Sequence, residues 1–368
     1  METKLSLTTH ALSSANLSNR IVMAPMTRSR AINNIPNQLM AKYYAQRATA
    51  GLIITEGVAP SVNGLGYARI PGIFSPQQTE AWKQVTQAVH DNGGKIFIQL
   101  MHTGRIGHSH NLPAGARILA PSAVQPKGKM WTDQEGLKDF PVPQELTIDE
   151  IGDAKEEFIK AARNAVDAGF DGVELHAANG YLLEQFLSPY ANQRIDNYGG
   201  SIENRSRFVL EVAAGVAKEI GNDKTGIRFS PYGVYNDMPH YIEIDATYSY
   251  LADELNKLSI AYIHLVDTSS DGSPEVPLSL KKAIRNDFKN TIILTGGYNL
   301  SKSEHDLSAG LADLIGFGRP FISNPDLVYR FRKNLPLNIK LDASTFFSAD
   351  EKGYIDYPVF EEASVSVF

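Results

Sequence analysis

Apolar positions along the chain alternate between two rhythms. Short runs rich in β-branched and aromatic residues recur at 20–26 (RIVMAPM), 51–58 (GLIITEGV), 95–102 (KIFIQLMH), 172–177 (GVELHA), 226–231 (GIRFSP), 262–267 (YIHLVD), 291–297 (TIILTGG) and 314–319 (LIGFGR). Apolar throughout and interleaved with helical stretches, they predict a parallel sheet covered on both faces. Over 147–169, Ile148, Ile151, Phe158, Ile159, Ala162 and Val166 mark one face of a helix. Thr147 can cap its start, Asp149 and Glu150 sit in its first turn, and Gly169 follows its end. Eight strand–helix units predict an α/β fold, a closed (β/α)8 TIM barrel, better than an open doubly wound sheet.

One connection breaks the rhythm. From Thr103 to Glu145, about forty Gly- and Pro-rich residues stand between the third strand and its helix, where a short loop would suffice. The expectation is one domain over 1–368, with 103–145 as an insertion capping the barrel mouth. A second irregular segment, from Leu335 to the end, is expected to pack back across the barrel.

Composition narrows the function. There is no cysteine, which excludes disulfides, iron–sulfur clusters, thiolate zinc sites and a cysteine nucleophile. The N-terminus is broken by polar residues every few positions, and nowhere is there an uncharged apolar run of the ~18 residues a membrane span needs. The expectation is therefore a cytoplasmic protein without membrane or nucleic-acid partners, the latter because the net charge is −6. The basic spot Tyr329–Lys333 reads as a solvated helix face.

In such a barrel the chemistry lies at the C-terminal strand ends. These carry Thr27 and Arg28, Glu56 and Gly57, Gln99 and His102, His176 and Asn179, Arg228, Asp267 and Thr268, Gly296 and Gly297, and Gly318 and Arg319. Glycines after the last two strands let main-chain N–H groups approach an anion that Arg319 can grip, as phosphate-binding barrels do. Tight turns alone would also use them. No GxGxxG follows the first strand, so a Rossmann site is not expected. The histidines of 102–110 match no metal-ligand spacing, and no metal is expected. Glu56 is left open between an acid–base role and pairing with a nearby cation. A phosphate-binding aldolase or isomerase is one reading of such a mouth, although no strand-end lysine supports it.

The motifs APMTRSR, GLIITEG, QLMHTGRIGH, GFDGVELHAANGYLLEQFLSPYANQRIDNYGGSIENRSRF, IRFSP, TGGY and GFGRPFISNPDL, in this order, resemble the Old Yellow Enzyme family of FMN-dependent ene-reductases. The form is most similar to the N-ethylmaleimide reductase and 12-oxophytodienoate reductase branch. The resemblance implies FMN as cofactor, NADPH or NADH as hydride donor, and an electrophilic alkene as substrate: an α,β-unsaturated carbonyl, maleimide or nitro compound, with nitrate esters and nitroaromatics as further acceptors. The chain would be a monomer or a homodimer; beside the aldolase or isomerase, a flavin-binding protein without turnover stands as the other alternative.

Residue by residue, the resemblance implies that Thr27, Gly57, Gln99 and Arg228 meet the flavin ring, and Gly297, Gly318 and Arg319 the phosphate. His176 and Asn179 would donate to the activating oxygen of the substrate. Hydride would pass from flavin N5 to the β-carbon, and Tyr181 would protonate the α-carbon. Asn179 stands where some members have histidine. Tyr67, Met101 and Tyr354 would line the substrate pocket, Met101 in place of an aromatic residue common in relatives.

Overall fold

The computed structural model describes residues 4–13 and 15–360; the end of the C-terminal segment, 361–368, lies outside the described residues. Eight parallel strands form a closed barrel: β1 (Ile21–Met23), β2 (Leu52–Val58), β3 (Ile96–Leu100), β4 (Gly172–Ala177), β5 (Thr225–Phe229), β6 (Tyr262–Val266), β7 (Thr291–Thr295) and β8 (Leu314–Phe317). Neighbours in sequence pair in space, and β8 closes on β1 through Ile315–Ile21 and Phe317–Met23. Helices follow each strand: α1 (Gln38–Ala45), α2 (Pro76–His90), α3 (Ile148–Asp167), α4 (Leu182–Leu187), α5 (Ile202–Ile220), α6 (Ile244–Lys257), α7 (Leu278–Asp287), α8 (Leu300–Ser308), α9 (Arg319–Ser323) and α10 (Leu327–Lys333).

Every barrel strand is buried along its whole length, as expected of a sheet covered on both faces. The interior floor is apolar: Val22, Leu52, Ile54, Phe97, Tyr262, Ile293 and Leu314 pack together, closed below by Leu12 and Leu17 of a short N-terminal hairpin. Two glycines make room for the large rings there. A Cβ on Gly172 would stand 2.4 Å from the Phe97 ring, and one on Gly226 would stand 2.3 Å from the Tyr262 ring.

α3 begins with the expected cap, in which Thr147 and Glu150 bind each other's main-chain N–H, and Gly169 follows it at φ +88°. Its buried face runs through Ile151, Ala154, Phe158, Ala161, Ala162 and Ala165, and Ile148 is exposed because it precedes the first packed turn. The first strand is shorter than its apolar run. Pro25 lacks a donor, and after Ala24 the chain leaves the ladder towards the C-terminal segment. Within Tyr329–Lys333, Arg330 is not solvated. It is buried against Asp326 at 2.7 Å and donates to the Pro336 carbonyl, because Phe331 turns that side of α10 inward.

The insertion after β3 carries a hairpin of Lys129–Thr132 against Gly136–Asp139. The C-terminal segment packs on the end of β1, where Arg28 and Arg30 donate to the carbonyls of Thr345, Phe346, Asp350, Lys352 and Gly353. Arg47 of the α1 turn donates in the same way to Phe321, Ile322 and Tyr354.

Candidate functional site

Inside the barrel, above the apolar floor, lies a polar layer that alternates along the strands with outward apolar residues. Gln99 Nε2 donates to Glu174 Oε1 at 2.8 Å, His264 Nδ1 meets Glu174 Oε2 at 2.8 Å, and Thr295 Oγ1 lies 2.7 Å from His264 Nε2. A neutral His264 that donates through Nδ1 and accepts from Thr295 satisfies all of them; burial, outweighing the nearby carboxylate, favours that neutral form. Burial would raise the Glu174 carboxyl, but His264, Arg228 and the Gln99 amide hold it below its usual range. Sequence reading missed this pair, although Glu174 precedes His176 by two residues and so shares its face.

One step higher, His176 pairs in register with Arg228. Its ring makes an edge contact with Tyr181 at 4.8 Å between centroids, and its Nδ1 is buried without a partner. Burial, with Arg228 and His264 adding to it, pulls His176 well below its ordinary value, so the ring is neutral at neutral pH. Asn179 follows in the left-handed region at φ +57°, and its Oδ1 is also buried and unpartnered. The Tyr181 hydroxyl donates to that of Tyr67 at 3.0 Å; burial and Tyr67 raise the Tyr181 phenol, which stays protonated.

Two cavities open at this end. The larger, about 700 Å³, is lined by Thr27, Tyr67, Arg69, Tyr181 and Phe347, with Lys129, Met130, Trp131 and Leu137 of the hairpin as one wall. The second, about 420 Å³, is lined by Pro25, Met26, Arg228, Thr268, Gly296, Gly297, Gly318 and Arg319. The end of β1 faces one with Pro25 and Met26 and the other with Thr27. Gly296 cannot carry a side chain, since a Cβ would stand 1.9 Å from the Asp267 carbonyl. Arg319 pairs with Asp271 at 2.8 Å on the rim.

Gln99 lies in the polar layer inside the barrel, paired in register with Gly57, and His176 stands one step above it, while Gly297, Gly318 and Arg319 line the second cavity. Gln99, Gly57, His176 and Asn179 line neither cavity, but His176 meets Tyr181 at the wall of the larger. Among the other residues expected at the substrate pocket, Tyr67 lines it, and Tyr354 and Met101 are placed elsewhere. Tyr354 is fully buried and stacks on Tyr43 at 4.0 Å, with the Arg30 guanidinium 4.6 Å from its ring centroid, because the C-terminal segment is drawn behind β1. Met101 lines neither cavity; it is buried in the cluster that holds Tyr181 and fills the space a side chain at position 57 would take.

Glu56 is directed away from both cavities. A register shift between Ile54 and Gly57 bulges β2, and Thr55 Oγ1 accepts the Gln99 N–H there. Glu56 then accepts the Tyr44 hydroxyl and the Arg28 N–H, each at 3.3 Å, while its own N–H donates to the Tyr44 oxygen at 2.9 Å. Burial pushes its carboxyl up to about 7. Among the described residues no cluster of metal-ligating side chains occurs, and no helix is long and apolar enough to cross a membrane.

Residues 11–338 match the model of the NADH:flavin oxidoreductase / NADH oxidase family. The chain belongs to this family. Within this family, it is 41% identical over 362 residues to 12-oxophytodienoate reductase 1 of Oryza sativa subsp. japonica, covering 97% of this chain and 93% of that one. Morphinone reductase superposes with a TM-score of 0.94 at 40% identity, covering 99% of this chain and 98% of the other. The Old Yellow Enzyme homologue of Zymomonas mobilis does so at 0.92 and 41%, covering 96% and 99%. A morphinone reductase variant has been solved with tetrahydroNAD. This NADH:flavin oxidoreductase is accordingly an FMN-dependent enzyme of Old Yellow Enzyme type, and the aldolase or isomerase reading falls. Its residues fit FMN: the glycine-lined cavity suits a phosphate, and the Arg228 Nε is buried without a partner.

Proposed function

We propose that the protein reduces the activated C=C bond of α,β-unsaturated carbonyl, maleimide or nitro compounds at the expense of NAD(P)H. The observation that carries this reading is the unpartnered buried Nδ1 of His176, whose ring packs edge-on against the protonated Tyr181 phenol at the wall of the larger cavity. An orphaned buried polar group is costly unless a ligand meets it.

Bound FMN, reduced by NAD(P)H, would supply the hydride for the β-carbon. Thr27, Gly57, Gln99 and Arg228 would hold its ring, and Gly297, Gly318 and Arg319 its phosphate, Arg319 sharing its charge with Asp271. Arg228 would bring positive charge to the ring it holds. A neutral His176 and the Asn179 amide bind the activating oxygen, where negative charge develops, without reorganising. Tyr181 delivers a proton to the α-carbon, and Tyr67, bonded to its hydroxyl, keeps that hydroxyl in place. Hydride and proton together give the saturated product. The larger cavity, walled by Trp131, Leu137 and Phe347 with Arg69 already paired to Asp133, suits a flat, mainly apolar acceptor.

The test is the visible spectrum of the purified protein under anaerobic conditions. A yellow band that bleaches with NADPH or NADH and returns with 2-cyclohexenone is the expected result. A band that bleaches and returns only with oxygen would sink the ene-reductase reading.

A further inference from the structure

The turn that presents Asn179 is built from two successive left-handed residues, Asn179 at φ +57° and Gly180 at φ +77°. Five hydrogen bonds through side chains fix it; Glu184 of α4 organises three of them, and Gln185 Nε2 donates to the Gly180 carbonyl at 2.7 Å independently of it. Asn179 N–H donates to Ser230 Oγ at 2.7 Å, and the Ser230 hydroxyl donates to Glu184 Oε1 at 2.7 Å. Gly180 N–H donates to Glu184 Oε2 at 2.5 Å. Asn236 Nδ2 donates to the Asn179 carbonyl at 2.7 Å, independently of Glu184. The Tyr248 hydroxyl of α6 adds a third donor to Glu184 at 3.0 Å.

Glu184 is buried, and among the described residues no cation lies within ion-pair distance of it. The titratable groups facing it are Tyr248 from α6 and Tyr232 and Tyr241 from the β5–α6 connection. Burial raises all three phenols, so they stay neutral near pH 7. Behind Tyr241, Arg205 of α5 is paired with Glu243. Three donors converge on one carboxylate and use three of its roughly four acceptor sites, and protonation would turn their charge-assisted bonds into weaker neutral ones. Burial, against the pull of Gly180, Ser230 and Tyr248, lifts this carboxyl to about 7.

We propose that Glu184 is a positioning residue: its ionised carboxylate locks the left-handed Asn179–Gly180 turn and so aims the Asn179 side chain at the substrate oxygen. The inference rests on the reading of Asn179 as a substrate donor. Binding of carbonyl ligands then weakens as pH falls through neutrality, although neither His176 nor Asn179 titrates there.

The experiment uses oxidised holoenzyme, which binds 2-cyclohexenone without turning it over, and reads Kd from the flavin spectrum on both sides of neutrality. Wild-type Kd should rise about tenfold towards acid, the size of one lost charge-assisted hydrogen bond. Glu184→Gln should bind weakly at every pH, and adding it to Asn179→Ala should change nothing further. Tyr248→Phe removes a donor to the carboxylate and should move the midpoint to higher pH; it carries the test if Glu184→Gln does not fold. Weak binding in Asn179→Ala together with a pH-independent wild type, or an unmoved midpoint in Tyr248→Phe, overturns the role of Glu184 and leaves that of Asn179 standing. Unchanged binding in Asn179→Ala overturns the Asn179 reading and this inference with it.

Discussion

At the residue scale, Tyr181 and Glu56 separate chemistry from packing. Replacing Tyr181 by Phe removes the proposed acid but keeps the ring against His176. Enone reduction should fall by roughly 10²–10⁴-fold while flavin reduction by NADPH stays nearly unchanged, which stopped-flow measurement of the two half-reactions would resolve. Glu56 is a structural carboxyl whose burial lifts it from 4.5 to about 7. A raised carboxylate stabilises the fold fully below the unfolded value, and that stability is lost as pH rises through the folded one. An interval of this size is on the order of 3 kcal/mol. Glu56→Gln, which mimics the protonated form, should therefore gain in Tm relative to wild type as pH rises from about 5 to about 8. A constant difference between the two proteins would contradict the burial argument.

At the element scale, the barrel depends on what its glycines leave out. Gly226→Ala would push a Cβ into the Tyr262 ring, and overpacking of this kind costs about 1–3 kcal/mol, visible as a lowered Tm. The eight strands were legible because each is an apolar run between helical stretches, and the long third connection announced itself by composition. His176, Asn179 and Tyr181 stood out because three polar side chains fall within six residues after a buried strand. Other features were hidden. The bulge in β2 follows from pairing, not from local preference, so nothing in GLIITEGV shows that Glu56 faces Tyr44. Glu184 went unread because Ser230 and Tyr248, distant in the chain, close over it only in the fold. Tyr354 was misplaced because its position depends on three buried arginines whose partners are main-chain carbonyls.

For the whole molecule, buried carboxyls and buried histidines set opposing pH dependences. Glu56 and Glu184 favour the folded state on the acid side of neutrality. His102, drawn by burial to about 3, and His176, also drawn well down, take up protons in the unfolded chain first, so their contribution is lost as pH falls below 6.5. Between roughly pH 4.5 and 6.5 the two effects oppose one another, and a plateau in Tm is expected there. His102→Gln removes one of the two histidine contributions, so its Tm should rise towards acid across that interval; an equally flat profile in both proteins would count against it.

The anchoring of the C-terminal segment reaches furthest. Arg28 and Arg30 grip it almost wholly through peptide carbonyls, and every residue type offers one. The anchor thus measures spacing along the chain and is nearly blind to the letters. Phe347, which walls the larger cavity, and Gly353, at φ +64° with no room for a Cβ, are held to their identities, but the clasp itself asks little of the other side chains over 345–353, whereas inserting or deleting one residue there would slip it out of step.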